Sequence, residues 1–212
     1  MKNRIVAGWV LSVALCFGLS AFGAENMVET SLEIGGQKLN LAKTLKEGGQ
    51  NLSLTGYGVR KKKVVFVKVS VYVASHYVSN PAGWAAKDPA NSLKKQPRRV
   101  LKLDFMRDVA GDKIKGAFAE SLKENGLDPA RKDLATILNG LAVDVKEKEQ
   151  ITLSGVVDTA KGEQALTARG PKGTIEVKSP TIVDDMWSIW FGKPVDGGLE
   201  ELKAELSELS VH

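Results

Sequence analysis

One run of the chain limits its fold more than any other: NLSLTGYGVRKKKVVFVKVSVYVASHYV, residues 51–78. In its second half Val65, Val67, Val69, Val71 and Val73 fall on one side. Phe66, Lys68, Ser70, Tyr72, Ala74 and His76 fall on the other. A period of two sustained over such a length is the pattern of a β-strand, whose successive side chains point to opposite faces. Residues 51–60 read as one strand and 63–78 as a second, long one that breaks at Asn80-Pro81. The basic run Arg60-Lys61-Lys62-Lys63 then reads as a solvated turn between them.

The rest of the chain adds strands in antiparallel groups and helices in pairs. SLEIGGQKLNLA (31–42) reads as a hairpin about Gly35-Gly36. Residues 81–99 carry three prolines and no clean period, which is a loop with room for a short helix. VLKLDFM (100–106) alternates, with Leu101, Leu103 and Phe105 on one face. Asp108 or Asp112 is placed to cap a helix striped by Ile114, Ala117, Phe118, Ser121 and Leu122, which Asn125-Gly126 ends. Asp128-Pro129 opens another, striped by Leu134, Ile137, Leu138 and Leu141. Residues 151–158, 163–170 and 173–178 read as a meander of three strands. A helix begins after Ser179-Pro180, striped by Val183, Met186, Trp187, Trp190 and Phe191. A last one carries Leu199, Leu202, Leu206 and Leu209. Without steady βαβ alternation, the expected class is α+β: an antiparallel β-sheet with a layer of α-helices on one face.

The first 23 residues stand apart. MKNR is basic, a short apolar run follows, and Ala21-Phe22-Gly23 offers small residues to a signal peptidase. We expect a signal peptide over 1–23, cleavage before Ala24, a single domain over 24–212, a periplasmic location and no stable membrane span afterwards. The only cysteine, Cys16, leaves with the leader. That excludes disulfides, thiol catalysis and cysteine-based metal sites from the mature chain. The formal charge falls from +5 to +3 when Lys2 and Arg4 depart. Such a mild charge, with no recognisable motif, does not point to nucleic acid.

Catalytic groups are scarce. The two histidines are His76 and the C-terminal His212. A lone strand histidine is more often structural, and it makes a metal site improbable. No nucleophile elbow, phosphate loop or dinucleotide fingerprint is present. Asp184-Asp185 suits a helix start through the dipole better than a paired-carboxylate site. Arg60 remains. Arginine cannot be a base at neutral pH, but it holds carboxylates bidentately and stabilises oxyanions. A valine-walled cleft with one guanidinium and a few hydroxyls suits a small amphipathic anion. On periodicity alone, an Arg60 that belongs to the basic turn and points at water is an equal reading.

At these residues the sequence resembles the chalcone isomerase family, and more closely its bacterial exported branch. LTGYGVRKKKVVFVKVSVYVA (54–74) is similar to the family's glycine-x-glycine-x-arginine strand and the Phe-x-Lys-x-Thr/Ser strand that follows and ends in Val-Tyr. LKLDFMRDV (101–109) is similar to its Leu-Asp-Phe-x-Arg-Asp, and WSIWFGKPVDGGLEEL (187–202) to its closing helix, glycine, loop and leucine-rich helix. The resemblance implies an antiparallel sheet under a helical layer, with the cleft between them. It implies that Arg60 matches the arginine that steadies an enolate in the plant enzymes and a carboxylate in fatty-acid-binding members. Ser70 falls near the enzymes' cleft threonine and Tyr72 near the Val-Tyr tyrosine. The polar set that positions a chalcone is largely missing: residues 107–130 hold no tyrosine, their one asparagine is Asn125, and Phe191, Trp190 and Ile189 precede Gly192, with Ser188 one step further.

The expected ligand-binding residues are therefore Arg60, Ser70, Tyr72 and Phe66, with Arg60 also the catalytic group if the protein is an enzyme. No cofactor or metal is expected. The cleft can be lined by the odd-numbered valines or by the even face. Arg60, being even-numbered, favours the even face if no bulge intervenes. Three functions compete: a binder of a fatty acid or phenolic anion, an isomerase or intramolecular lyase, and an envelope interaction protein using the tryptophan helix 181–191.

Overall fold

The computed structural model describes residues 29–34 and 37–208. The leader, its cleavage point, the Gly35-Gly36 turn and Leu209 lie outside them. Strands β1 (Glu29–Ile34) and β2 (Gln37–Ala42) pair only with each other, antiparallel. The main sheet holds β3 (Thr44–Glu47), β4 (Gln50–Val64), β5 (Val67–Val78), β6 (Arg98–Phe105), β7 (Gln150–Asp158), β8 (Glu163–Gly170) and β9 (Gly173–Ser179) in sequential order. Every neighbouring pair is antiparallel. Helices α1 (Pro89–Leu93), α2 (Gly111–Glu124), α3 (Lys132–Gly140), α4 (Ile182–Phe191) and α5 (Gly197–Ser207) complete the fold. This is the α+β arrangement expected from the pattern of runs.

Alternation along β6 sorts the two faces. Leu101, Leu103 and Phe105 join the large core against α2, α4 and α5, while Val100 joins Leu52 and Tyr77 on the opposite face. That second face is closed partly by the sheet's own curl. Glu47 on β3 accepts from Ser154 Oγ at 3.0 Å and from Arg169 at 2.7 Å, reaching β7 and β8 across the concave side. The stripe of α4 goes wholly inward: Val183, Met186, Trp187 and Trp190 are buried. This helix offers no tryptophan face to a partner, which removes the structural ground for the interaction-protein reading.

Three local expectations change. β4 runs through the lysines to Val64, so the basic run is strand and the turn falls at Val65-Phe66. Neither Asp108 nor Asp112 caps α2. Its N-cap is Ala110, and Asp144 accepts from the Gly111 N–H at 2.9 Å instead. α3 begins at Lys132, a little after Asp128-Pro129.

The two glycines ahead of Arg60 have a packing reason. A Cβ on Gly56 would lie 2.3 Å from the Glu205 carbonyl oxygen, and one on Gly58 would strike the Glu205 side chain. Bare backbone at both positions lets α5 lie directly on β4, where Glu205 also accepts from the Val59 N–H at 3.1 Å.

Candidate functional site

Two bulges decide what faces the helices. Between Leu54 opposite Tyr77 and Gly56 opposite His76, Thr55 is an extra residue on β4. Between Arg60 opposite Tyr72 and Lys61 opposite Ser70, Val71 is an extra residue on β5. A bulge reverses the in–out alternation beyond it. Val69 and Val71 from the odd set and Tyr72 from the even set therefore line the same space. The cleft is not one face of the strand; it takes the odd face before the bulge and the even face after it.

That space is a cavity of about 430 Å³ between β4–β5, the 107–110 loop, α2 and the start of α5. Its size falls within the roughly 300–1,000 Å³ usual for small-molecule sites. The walls are mainly apolar, with Phe105, Val109, Ile114, Phe118, Ile189 and Leu199 among them. Charge enters from four cations, Arg60, Lys62, Arg107 and Lys113, against two acids, Asp108 and Glu120. Asp108 is engaged elsewhere, with Lys146 at 2.9 Å and the Glu147 N–H at 2.9 Å. The cavity is thus an apolar pocket with a positive lining.

Arg60 is only 8% exposed. Its Nη2 donates to Asp196 Oδ2 at 2.6 Å and its Nη1 to the Lys61 carbonyl. Asp196 is the N-cap of α5, accepting from the Leu199 N–H at 2.9 Å. Its partial burial opposes ionisation, but the hydrogen bonds from Arg60 and Leu199 outweigh that and hold the carboxyl below its ordinary value. A buried guanidinium without a counter-ion is costly, and Asp196 supplies that counter-ion while remaining open on one side. A ligand carboxylate can share or displace it.

Tyr72 stands directly across from Arg60 in the strand pair. Its hydroxyl accepts from Trp190 Nε1 at 3.1 Å. Among the described residues that hydroxyl has no acceptor of its own, and Tyr72 is part of the cavity lining. Burial pushes the phenol above its ordinary value of 10.0, with Trp190 and Arg60 opposing, so it is a donor at neutral pH and not a base.

The other two expected residues are elsewhere. Ser70 is half-buried between Val69 and Val71 and does not line the cavity. Phe66 is at the β4–β5 turn and 92% exposed. The other polar groups weighed in the sequence are engaged structurally. Asn125 ties the end of α2 to Lys193, and Ser188 bonds back to the Asp185 carbonyl. Asp196, Arg107 and Lys113 were missed. Arg107 lies within the quoted LKLDFMRDV motif, and Asp196 before Gly197-Gly198 has the pattern of a helix N-cap.

His76 is sealed in the core, between the Trp84 and Phe191 rings at 5.3 and 4.7 Å between centroids. Trp187 Nε1 can only donate, so His76 Nε2 accepts it at 3.0 Å and the ring proton sits on Nδ1. That proton goes to Thr55 Oγ1 at 2.6 Å, which in turn donates to the Leu206 carbonyl at 3.0 Å. A satisfied chain thus joins α4, β5, β4 and α5. Burial, helped by Arg99, drives the imidazole well below its ordinary 6.5. The folded protein keeps His76 neutral, whereas the unfolded chain binds a proton below about pH 6.5. The resulting stability is present above that value and lost as pH falls, by up to about 1.4 kcal/mol per unit. Urea unfolding from neutral pH down to about 5 should show this slope, and His76→Gln should remove most of it. An identical slope in the variant would place the protonation on other groups.

A family model described as chalcone isomerase-like matches residues 32–206. The chain belongs to the chalcone isomerase-like family. Among solved structures, a fatty-acid binding protein of Arabidopsis thaliana superposes with a TM-score of 0.62 over 85% of this chain and 99% of that one, at 13% identity. That likeness is one of fold. No curated protein matches the sequence. Within the chalcone isomerase-like fold, the cavity described here lies between the sheet and its helical layer.

Proposed function

We propose that this chalcone isomerase-like protein is an exported, periplasmic carrier or sensor that binds a small amphipathic anion, a fatty acid or phenolic acid, in the cavity headed by Arg60. The observation that carries the reading is a nearly buried guanidinium, with the Tyr72 phenol across the strand pair from it, in the lining of a mainly apolar pocket. The carboxylate meets Arg60 and Tyr72 while the apolar body lies against Val69, Val71, Phe105 and Phe118. The Arabidopsis protein of the same fold, named for fatty-acid binding, lends support. Export rests on the basic, then apolar, then small-residue pattern of residues 1–23.

The isomerase reading draws on the same two donors, which are also placed to hold an enolate. It finds less support. Tyr72 is protonated at neutral pH, and His76 is walled off from the cavity by the core. The carboxylates lining the cavity, Asp108 and Glu120, belong to the 107–110 loop and α2, not to the Arg60–Tyr72 strand pair.

The test is a ligand melt beside a turnover assay on the chain from Ala24. A medium-chain or long-chain fatty acid at a hundred times its dissociation constant should stabilise the fold by about 2.7 kcal/mol. Chalcone closure should not exceed the uncatalysed rate. Turnover lost in Arg60→Ala, with no stabilisation by any acid, would overturn the binding reading in favour of the enzyme.

A further inference from the structure

The β4–β5 hairpin leaves the sheet. Its pairing with β6 begins at Tyr72 opposite Phe105, while β4 and β5 stay paired with each other out to Val64 opposite Val67. Residues 61–71 therefore form a two-stranded ribbon that projects past its neighbour. At its end Val65, Phe66 and Val67 are 75%, 92% and 64% exposed, and they are the exposed large hydrophobic residues among those described. Three adjacent apolar side chains at a protruding tip are not the scattered single exposures of an ordinary surface.

Two further features of the tip are unfavourable in water. Val65 has a φ of +55°, at the first position of a two-residue turn where glycine is the usual occupant. A β-branched residue there is strained. Behind it Lys63 stands directly opposite Lys68 across the ribbon, with Lys61 and Lys62 next along β4. Like charges facing each other across two strands repel. Glu201 on α5 reaches Lys68 Nζ at 3.1 Å, and Lys62 lines the cavity, where its charge acts on Asp196.

An apolar tip with a collar of lysines matches one chemical environment, a lipid headgroup layer that is anionic outside and hydrocarbon inside. We infer that the β4–β5 hairpin docks on an anionic phospholipid surface, inserting Val65, Phe66 and Val67 while Lys61 and Lys63 meet the headgroups. Contact removes the apolar side chains from water and screens the lysine repulsion in one step. The hairpin also carries Lys62, Val69 and Val71 of the cavity lining, so docking sets the cavity beside the membrane. The inference does not depend on the ligand reading, because vesicle binding is measured with no acid present.

The experiment is flotation of the chain from Ala24, which holds every described residue, with vesicles of phosphatidylcholine alone or of phosphatidylcholine with phosphatidylglycerol. Binding should require phosphatidylglycerol and should weaken as salt rises. Phe66→Ser should lower the partition coefficient at least about ten-fold. Lys61→Gln with Lys63→Gln should lower it about twenty-five-fold, at roughly five-fold per lysine. Val65→Gly relieves the backbone, so weaker binding by this variant at an unchanged or raised melting temperature excludes misfolding as the cause. Phe66→Trp should be quenched by brominated acyl chains, which reports insertion. No flotation with anionic vesicles, or flotation indifferent to all the tip variants, overturns the inference. So does self-association in sedimentation that Phe66→Ser abolishes without vesicle binding, because the tip would then be a contact between copies.

Discussion

Arg60→Ala is expected to weaken binding of a fatty-acid carboxylate about a hundred-fold while the protein stays folded. A charge-assisted, two-pronged contact is about twice as strong as a neutral hydrogen bond, and truncating one partner of a buried ion pair costs about 2–5 kcal/mol. Two decades in affinity correspond to about 2.7 kcal/mol, inside that range. The fold should survive because Asp196, left without its cation, still caps α5 through Leu199 and is partly open to water. Arg60→Lys should recover only part of the affinity, since an ammonium cannot reproduce the planar fork. Titration calorimetry with one fatty acid across wild type, Arg60→Lys and Arg60→Ala reads this directly. Equal affinities in all three would remove Arg60 as the anchor and leave the apolar walls to account for binding.

The second large effect is on stability. Trp187→Ala should cost about 3–5 kcal/mol, a large part of the roughly 5–15 kcal/mol that holds a domain of this size together. Trp187 is fully buried beneath α4. Its loss opens a cavity and also leaves His76 Nε2 without its donor, so a packing term and an unsatisfied polar group add. Trp187→Phe restores much of the volume but not the indole N–H, and should fall between. Urea midpoints for the three proteins, with the slope unchanged, would measure both parts. Little change in Trp187→Ala would mean that the α4 stripe is not the centre of the core, and would reopen the question of a surface role for this helix.

Much of this was legible before folding is considered. The alternation in β6, the 3.6-residue stripes of α2 and α4, and the stop at Asn125-Gly126 are local signals, each set by the side-chain period of one element. The α+β class follows from their order. Arg60 stood out for a chemical reason, a permanent cation on a strand entering an apolar core. The turn was misplaced because nothing marks it: Val65 and Phe66 are strand formers, and the lysines before them look like a loop.

The site itself came from pairing. Val71 is a bulge only in relation to β4, so no period along β5 could say that Val69, Val71 and Tyr72 would share one cavity while Ser70 would not. Asp196 reaches Arg60 across 136 positions of sequence. His76 became a neutral structural group only once Trp187, 111 positions away, was laid against it. By itself the sequence determined most of the segments that become strand or helix, though not β3 or the strand character of the basic run. Tertiary structure decided which side chains meet. Periodicity is a property of one backbone, whereas register, bulges and burial are properties of two or more segments brought together.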